Sequence, residues 1–195
     1  MPSKRPTPRL KSLAKARLTA RQRELRDAIA SGPRGKFSFG GPFGVWLHAP
    51  DFGLLAQKLG AHCRYQTALP PRLSEFAILV TARLWQAQYE WLAHAPIAER
   101  AGVKLQTIRD LRAGRTLKTA SKDERAIYDF IKELYRTKRV TGRTYALVNA
   151  ILGETAVVEL VGLLGYYALV AMTLNVFRVP PPPGASWPLK EPGAA

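Results

Sequence analysis

The chain reads LSEFAILVTAR over residues 73–83 and QYEWLAHAPIA over residues 88–98. These two stretches carry two carboxyl groups and one imidazole, those of Glu75, Glu90 and His94, among Trp, Leu and other apolar residues. Burial in such surroundings moves the pKa of an ionisable group toward neutrality, which is what a general acid or base needs. The pattern therefore indicates a candidate active site.

The spacing of the three polar residues constrains the local structure. Glu90 and His94 are four residues apart, so on a helix they share one face. Glu75 lies fifteen residues before Glu90, which corresponds to roughly 22 Å along a straight helix. The chain must therefore turn between Glu75 and Glu90 if all three are to meet.

The same positions resemble the signature of the carboxymuconolactone decarboxylases and the related alkylhydroperoxidases, which is Glu, eleven residues, Cys, two residues, Cys, three residues, His. Glu75 and His94 fall on the Glu and the His of that signature, whereas Ala87 and Glu90 occupy the two Cys positions. The resemblance implies an all-α, alkylhydroperoxidase-like helical fold with a central helical hairpin. The hairpin would turn at about residues 84–87, although no Gly or Pro marks the break.

Two further segments support the resemblance. GPFGVWL at residues 41–47 matches an N-terminal part of the family pattern, and VELVGLLGYY at residues 158–167 looks like its last core helix. The family forms oligomers, so the resemblance implies a homo-oligomer, as a dimer, trimer or hexamer.

The resemblance leaves one of the family's two chemistries open to this chain. Members with the Cys pair are thiol peroxidases, and the decarboxylases work by proton transfer without the pair. Peroxide reduction needs a low-pKa thiolate and a resolving thiol, which Ala87 and Glu90 do not supply. We therefore expect carboxy-lyase-like, cofactor-free acid-base chemistry, either decarboxylation or proton transfer, on a small lactone or carboxylic acid.

Each candidate residue has an expected role. His94 would move the proton and Glu75 would orient its imidazole. Glu90 is either catalytic or a simple partner of His94 or Arg83, and the Tyr89 hydroxyl is a candidate donor to an oxyanion. Four residues are expected to contact substrate, the first two as aromatic walls and the others as carboxylate anchors: Trp91, Trp46, Arg72 and Arg83.

Composition bounds the remaining possibilities. A chain of 195 residues with 47% hydrophobic content suits one well-filled domain. Cys63 is the only cysteine, which excludes an intrachain disulfide and a Cys-based metal cluster and fits a reducing cytoplasm. No glycine-rich nucleotide loop or His-Glu zinc pattern is present, and His48 and His62 lie outside the motif. We expect no cofactor, no metal and a cytoplasmic location.

Charge and composition divide the chain into three parts. Residues 1–23 hold eight of the 30 Lys and Arg residues and no acid. We expect a basic flexible tail over residues 1–18, a single helical domain over 19–178 and a Pro-rich C-terminal tail over 179–195. Helix-start signals within the domain stand at Thr19, Asp51, Pro70-Pro71, Ser121 and Thr141.

Two alternatives from other classes remain. Residues 97–112 read like a helix-turn-helix with a basic second helix, which in a chain of net charge +16 makes DNA binding a competing hypothesis. A non-catalytic helical oligomer, in which the three polar residues form a buried network, is the other. Residues 160–177 are uncharged and just long enough to cross a membrane, but Gly162, Gly165 and two adjacent Tyr residues favour a core helix of an oligomer and no membrane association.

Overall fold

The computed structural model describes residues 7–182 and 184–189, and over these residues the secondary structure is α-helical without a strand. The predicted all-α class is confirmed. The described part of the chain contains nine helices: α1 (Ala20–Ala30), α2 (Gly41–Trp46), α3 (Pro50–Tyr65), α4 (Pro71–Trp85), α5 (Gln88–Arg100), α6 (Leu105–Ala113), α7 (Lys122–Thr137), α8 (Gly142–Leu152) and α9 (Glu154–Val176).

Most of the predicted helix starts are confirmed. Thr19 and Ser121 both form complete capping boxes, in which the cap side chain and the side chain three residues later each satisfy a free backbone N–H. Thr141 accepts from the backbone N–H of Thr144 and starts α8. The assignment of Asp51 as a cap is wrong, because α3 begins at Pro50 and the Asp51 carboxylate binds Arg21 of α1 instead.

Helix α4 is the centre of the fold. Every residue from Leu73 to Ala82 is buried, as expected for a helix that is covered on all sides. Helices α5, α7 and α9 pack around it, and α6 makes a smaller contact. Glu75 is therefore held on an element whose surroundings are fixed by packing.

The turn between α4 and α5 lies within residues 84–87, where the family resemblance implied a break. Helix α4 ends at Trp85, Gln86 adopts the left-handed conformation with φ 53°, and α5 begins at Gln88. A non-glycine residue in this conformation costs roughly 1–2 kcal/mol. Packing of the two helices against each other offsets that strain, so no Gly or Pro is needed at the turn.

Helix α9 closes the fold against α2, α3 and α4. By length and composition it is apolar enough to cross a membrane, but more than half of its most apolar window is buried among the other helices. The Trp46 indole N–H donates to Thr173 at 3.3 Å and ties α2 to α9. Val158 and Val161 remain exposed on its outer face, where the expectation of a homo-oligomer stays a prediction.

Both ends of the described chain make contacts with the helical body. The Arg9 backbone N–H donates to the Phe177 carbonyl at 3.1 Å, and Leu18 is buried. Near the other end, Leu189 and the Gln88 side chain exchange two hydrogen bonds. Residues 1–6, 183 and 190–195, which belong to the predicted tails, lie outside the described residues.

Candidate active site

The α4–α5 hairpin brings Glu75 and His94 together. Glu75 lies one turn inside α4 and His94 lies in the second turn of α5, and both side chains are buried. The Glu75 Oε2 atom is 2.7 Å from His94 Nδ1. A straight helix would hold Glu75 far from Glu90 and His94. Because α4 and α5 pack side by side after the turn, Glu75 and His94 come into contact.

The second oxygen of Glu75 faces a cation. Arg64, in the last turn of α3, places its Nε atom 3.6 Å from Glu75 Oε1. The result is a row of three ionisable groups, Arg64, Glu75 and His94, supplied by three different helices. Arg64 was missed by the sequence analysis, because nothing in its spacing connects α3 to the motif.

His94 is set up as a neutral imidazole. Burial lowers its pKa from the ordinary 6.5, and this outweighs the opposing effect of Glu75. The Nδ1–H then donates to the Glu75 carboxylate, which leaves a lone pair on Nε2. The Tyr167 ring meets the imidazole edge to face, with ring centroids 5.1 Å apart, and fixes its plane from the α9 side.

Glu90 differs from Glu75 in having no partner. Its side chain is buried, and neither Oε1 nor Oε2 has a hydrogen-bond partner within the described structure. The pairing with His94 or Arg83 that the sequence left open is therefore not formed. Burial raises the pKa of Glu90 well above its ordinary range.

The position of Glu90 in the first turn of α5 does not reverse this shift. The positive end of a helix dipole stabilises a carboxylate by about 0.3–1 kcal/mol. An unpaired ionised carboxylate in an apolar interior costs several times that amount. Burial without a partner therefore favours the neutral carboxylic acid form of Glu90 over the carboxylate.

A cavity of about 460 Å³ opens beside these residues. Its wall includes His94 and Glu90 but not Glu75, so the imidazole stands between Glu75 and the cavity. Aromatic side chains cover much of the remaining wall, and three cationic side chains join them. The aromatic groups are Phe43, Tyr65, Tyr89, Tyr166 and Tyr167, and the cations are Arg34, Lys36 and Arg64.

Tyr89 lies on the wall of this cavity, and its role as a donor to an oxyanion stays a prediction. Burial raises the pKa of its hydroxyl, and the nearby Ser38 side chain opposes this shift. The ring rests on Gly41, where an added Cβ would come within 2.8 Å of it, and Gly41 has φ +67°. Glycine is thus required at residue 41 both by the backbone and by the Tyr89 ring.

Four predicted substrate contacts lie away from the cavity. Trp46 and Trp91 belong to the buried core. Arg72 forms ion pairs with Asp123 and Glu124 at the start of α7, and Arg83 donates to the Arg112 carbonyl at 3.1 Å. The cations that do line the cavity come from α3 and from the loop before α2, segments that lie more than ten residues before the motif.

Neither thiol peroxidase chemistry nor a metal site is expected from the sequence, and the structure shows the state of Cys63 and of the possible metal ligands. Cys63 is buried in α3, and burial raises its pKa, so it is a thiol and not a thiolate. Within residues 7–182 and 184–189, His, Cys, Asp and Glu side chains do not gather into a group of three or more that could hold a metal ion.

The helix-turn-helix segment is part of the helical body. Ala98, Val103 and Ile108, the apolar residues that suggested the motif, are all buried in the core. Their spacing is therefore explained by the packing of α6 against α4 and α5. The basic residues Arg109 and Arg112 of α6 are exposed.

Comparison with known proteins supports the fold. Neither a scan of protein-family models nor a search of curated proteins gave a match. Among solved structures, an uncharacterised peroxidase-related protein from Ralstonia eutropha, described as an alkylhydroperoxidase core, has a TM-score of 0.73 and 17% identity over 91% of this chain and 94% of that chain. The debrominase Bmp8, in complex with 2,3,4-tribromopyrrole, has a TM-score of 0.63 and 14% identity over 93% and 92% of the two chains.

At these identities the likeness concerns the fold alone. The chain has the alkylhydroperoxidase-like helical fold, as the resemblance implied. The hairpin that carries Glu75 and His94 is the part of this fold on which the candidate site is built.

Proposed function

We propose that the protein catalyses a proton transfer, with His94 as the acid-base residue, on a small organic acid or lactone bound in the 460 Å³ cavity. The observation that carries this proposal is the 2.7 Å contact between Glu75 and His94 at the cavity wall. A neutral imidazole whose Nδ1–H is held by a carboxylate presents Nε2 as a base near neutral pH.

Glu75 acts through His94 and not on the substrate. It does not line the cavity, and its two oxygens face His94 and Arg64. The carboxylate fixes the tautomer of the imidazole and stabilises the imidazolium that forms when Nε2 takes a proton. Glu75 is therefore a positioning residue.

The wall of the cavity supports an anionic substrate of modest size. Aromatic and aliphatic side chains form most of the wall, while Arg64 and Arg34 supply guanidinium groups that suit a carboxylate. A carboxymuconolactone-like acid, decarboxylated as a proton is delivered to carbon, fits this combination. The bromopyrrole bound to one similar structure is also a small ring compound.

A thiol peroxidase is the less favoured reaction, although one similar structure is called peroxidase-related. The two residues at the signature's Cys positions are Ala87 and Glu90, and Cys63 is buried as a thiol. We expect no dithiol-dependent reduction of an organic hydroperoxide. Such turnover, lost in Cys63→Ser, would contradict the proposal.

The test uses purified protein in D2O with small lactones that carry a carboxylate and with unsaturated carboxylic acids. Proton NMR would follow decarboxylation and deuterium incorporation. Loss of one positioned acid-base group lowers the rate by about 10²- to 10⁴-fold, so His94→Asn should lose most turnover. His62→Asn, at an exposed histidine of α3, is the matched control. A folded His94→Asn protein with the wild-type rate would refute the proposal.

A further inference from the structure

The Glu90 carboxyl group is buried beside the cavity with both oxygens unpartnered. Buried polar groups of folded proteins nearly always have a hydrogen-bond partner, because an unmet one costs roughly 1–3 kcal/mol. Glu90 lines the cavity, and its carboxyl group has unused hydrogen-bonding capacity that a bound ligand can meet once a small side-chain rotation turns an oxygen toward it. It lies one helical turn before His94 on α5, so both groups can face the same bound molecule.

Burial favours the protonated form of Glu90. The cations Arg34, Lys36 and Arg64 share its cavity wall. The groups on other helices that interact with it electrostatically are phenols, Tyr135 from α7 and Tyr166 and Tyr167 from α9. Burial raises the pKa of all three phenols, so each is neutral near pH 7. On α5 itself, the neighbouring Tyr89 is a phenol of raised pKa and His94 is a neutral imidazole.

We propose that Glu90 is a second catalytic residue, a neutral carboxylic acid whose O–H donates to the carbonyl oxygen of the substrate while His94 moves a proton at the adjacent carbon. The inference rests on the proposed function of His94 and narrows its substrate class. The substrate is a lactone, or a small organic acid that also carries a ketone or ester group, with a C–H bond next to that carbonyl group.

The proton movements balance within the site. His94 Nε2 takes the proton of the adjacent carbon, and the electron pair of the broken C–H bond forms the C=C bond of an enol. The carbonyl π electrons move to oxygen, which takes the Glu90 proton. Return of a proton from the His94 imidazolium to carbon, and of the enol proton to Glu90, restores both groups.

Glu90 therefore supplies at the second Cys position of the signature a group that donates a proton instead of a thiol. The exchange of a thiol for a carboxylic acid at this position changes the available chemistry from electron transfer to proton transfer. A hydrogen bond from a neutral acid is also strongest where it is shielded from water, as it is on this wall.

The test compares Glu90→Leu, Glu90→Gln and His94→Asn with wild type in one assay, deuterium incorporation next to the ketone or lactone carbonyl of keto acids and lactones in D2O. Removing an oxyanion donor lowers rates by about 10²- to 10³-fold, which we expect for Glu90→Leu. Glu90→Gln keeps an N–H donor but has no proton to transfer. Its exchange rate should therefore lie between those of wild type and Glu90→Leu. Glu99→Gln, at an exposed residue of α5, is the matched control.

The outcomes separate the two proposals. Exchange that is lost in His94→Asn but unchanged in Glu90→Leu would overturn the role of Glu90 and leave His94 in place. Unchanged exchange in both variants would overturn the proposed function as well. Wild-type protein that exchanges none of these carbonyl compounds, yet decarboxylates an acid through His94, would overturn the substrate class.

A measurement without substrate tests the protonation state. The unfolded chain loses the Glu90 proton near pH 4.5, the ordinary value, whereas the folded protein retains it to higher pH. Wild type should therefore lose stability relative to Glu90→Gln as pH rises from 5 to 8. A stability difference that does not change with pH would overturn the proposal.

Discussion

Helix α4 contributes to two clusters of Arg and carboxylate groups. The clusters differ in whether their side chains border a cavity. At the start of α4, Arg72 binds Asp123 and Glu124 of α7. About one turn later, Glu75 meets His94 and Arg64. We call these the α7 cluster and the cavity cluster.

The α7 cluster is saturated. Glu124 accepts from Arg72 and from the Ser121 backbone N–H, so the ion pair completes a capping box. In the cavity cluster, Arg64 and His94 also border an open cavity, with the unpartnered Glu90 on the same wall. A charged cluster thus indicates a reaction site only where it also faces space that a ligand can fill.

The largest expected effect is on turnover, and it is tested by replacing one buried glutamate from each cluster. Glu75→Gln should lower turnover by about 10²- to 10⁴-fold, because the amide no longer holds the imidazole as a base or stabilises its imidazolium. Glu124→Gln should leave turnover within about twofold, since it lies outside the site. Rates on the best substrate of the NMR panel would decide, and equal losses in both variants would erase the distinction.

The second expected effect is on stability, and here the larger change is in the α7 cluster. Glu124→Gln removes the ionised partner of Arg72 and should lower the free energy of unfolding by about 2–3 kcal/mol. This is less than the roughly 3–5 kcal/mol of a fully buried pair, because the Arg72 side chain is 29% exposed. Urea unfolding would measure it, and a loss below about 0.5 kcal/mol would show that the pair contributes little.

The two clusters should also differ in their pH dependence. The pKa of His94 is lowered on folding, so the unfolded chain takes up the proton first and stability falls as pH drops below 6.5. The slope cannot exceed about 1.4 kcal/mol per pH unit for one group. The stability difference between wild type and His94→Asn isolates this contribution from that of Glu90 and should change as pH falls from 6.5 to 5. A difference that stays constant over that range would contradict the prediction.

In the α7 cluster, the change of stability with pH begins at a lower pH than for His94. The pKa of Asp123 is lowered from 3.8, largely through hydrogen bonds from Arg72 and Ser121 that overcome its burial. Its contribution is present above pH 3.8 and is lost as pH falls through the folded value. Asp123→Asn should flatten only this acid limb, measured by unfolding between pH 5 and 3.

The smallest effect concerns anion binding. Arg64→Gln should weaken the binding of a small carboxylate inhibitor by about tenfold, or about 1.4 kcal/mol, because one charge-assisted hydrogen bond is lost. Arg83→Gln is the control and should leave the dissociation constant unchanged. A larger effect at Arg83 than at Arg64, measured by calorimetry, would favour the anchor predicted from sequence.

The parts of the structure that sequence predicted are those set by local rules. Capping boxes at Thr19 and Ser121 act over three residues. The pairing of Glu75 with His94 is not set by a local rule and was implied only by the family resemblance. The anion-binding residue could not be chosen this way. Arg72 was a plausible anchor until its partners proved to lie about fifty residues further along the chain, at Asp123 and Glu124.

The cavity wall was unpredictable for the same reason. Tyr166 and Tyr167 were noted as an adjacent pair that favours a core helix, but no pattern connected α9 to residues 88–98. Likewise, the lack of any partner for Glu90 depends on which side chains surround it in space. Spacing in the sequence shows which residues share a face of one helix. It does not show which helices pack against each other.

The span of the contacts implies an order of assembly. The Glu75–His94 hydrogen bond joins residues 19 apart, whereas the Trp46–Thr173 bond that ties α9 to α2 joins residues 127 apart. Contacts of low sequence separation close first, because they sacrifice less chain entropy. The Glu75–His94 contact therefore costs less chain entropy to close than the contact that brings α9 against α2. Any later detachment of α9 would rehydrate His94 and Glu90 together and return both to ordinary solution acidity.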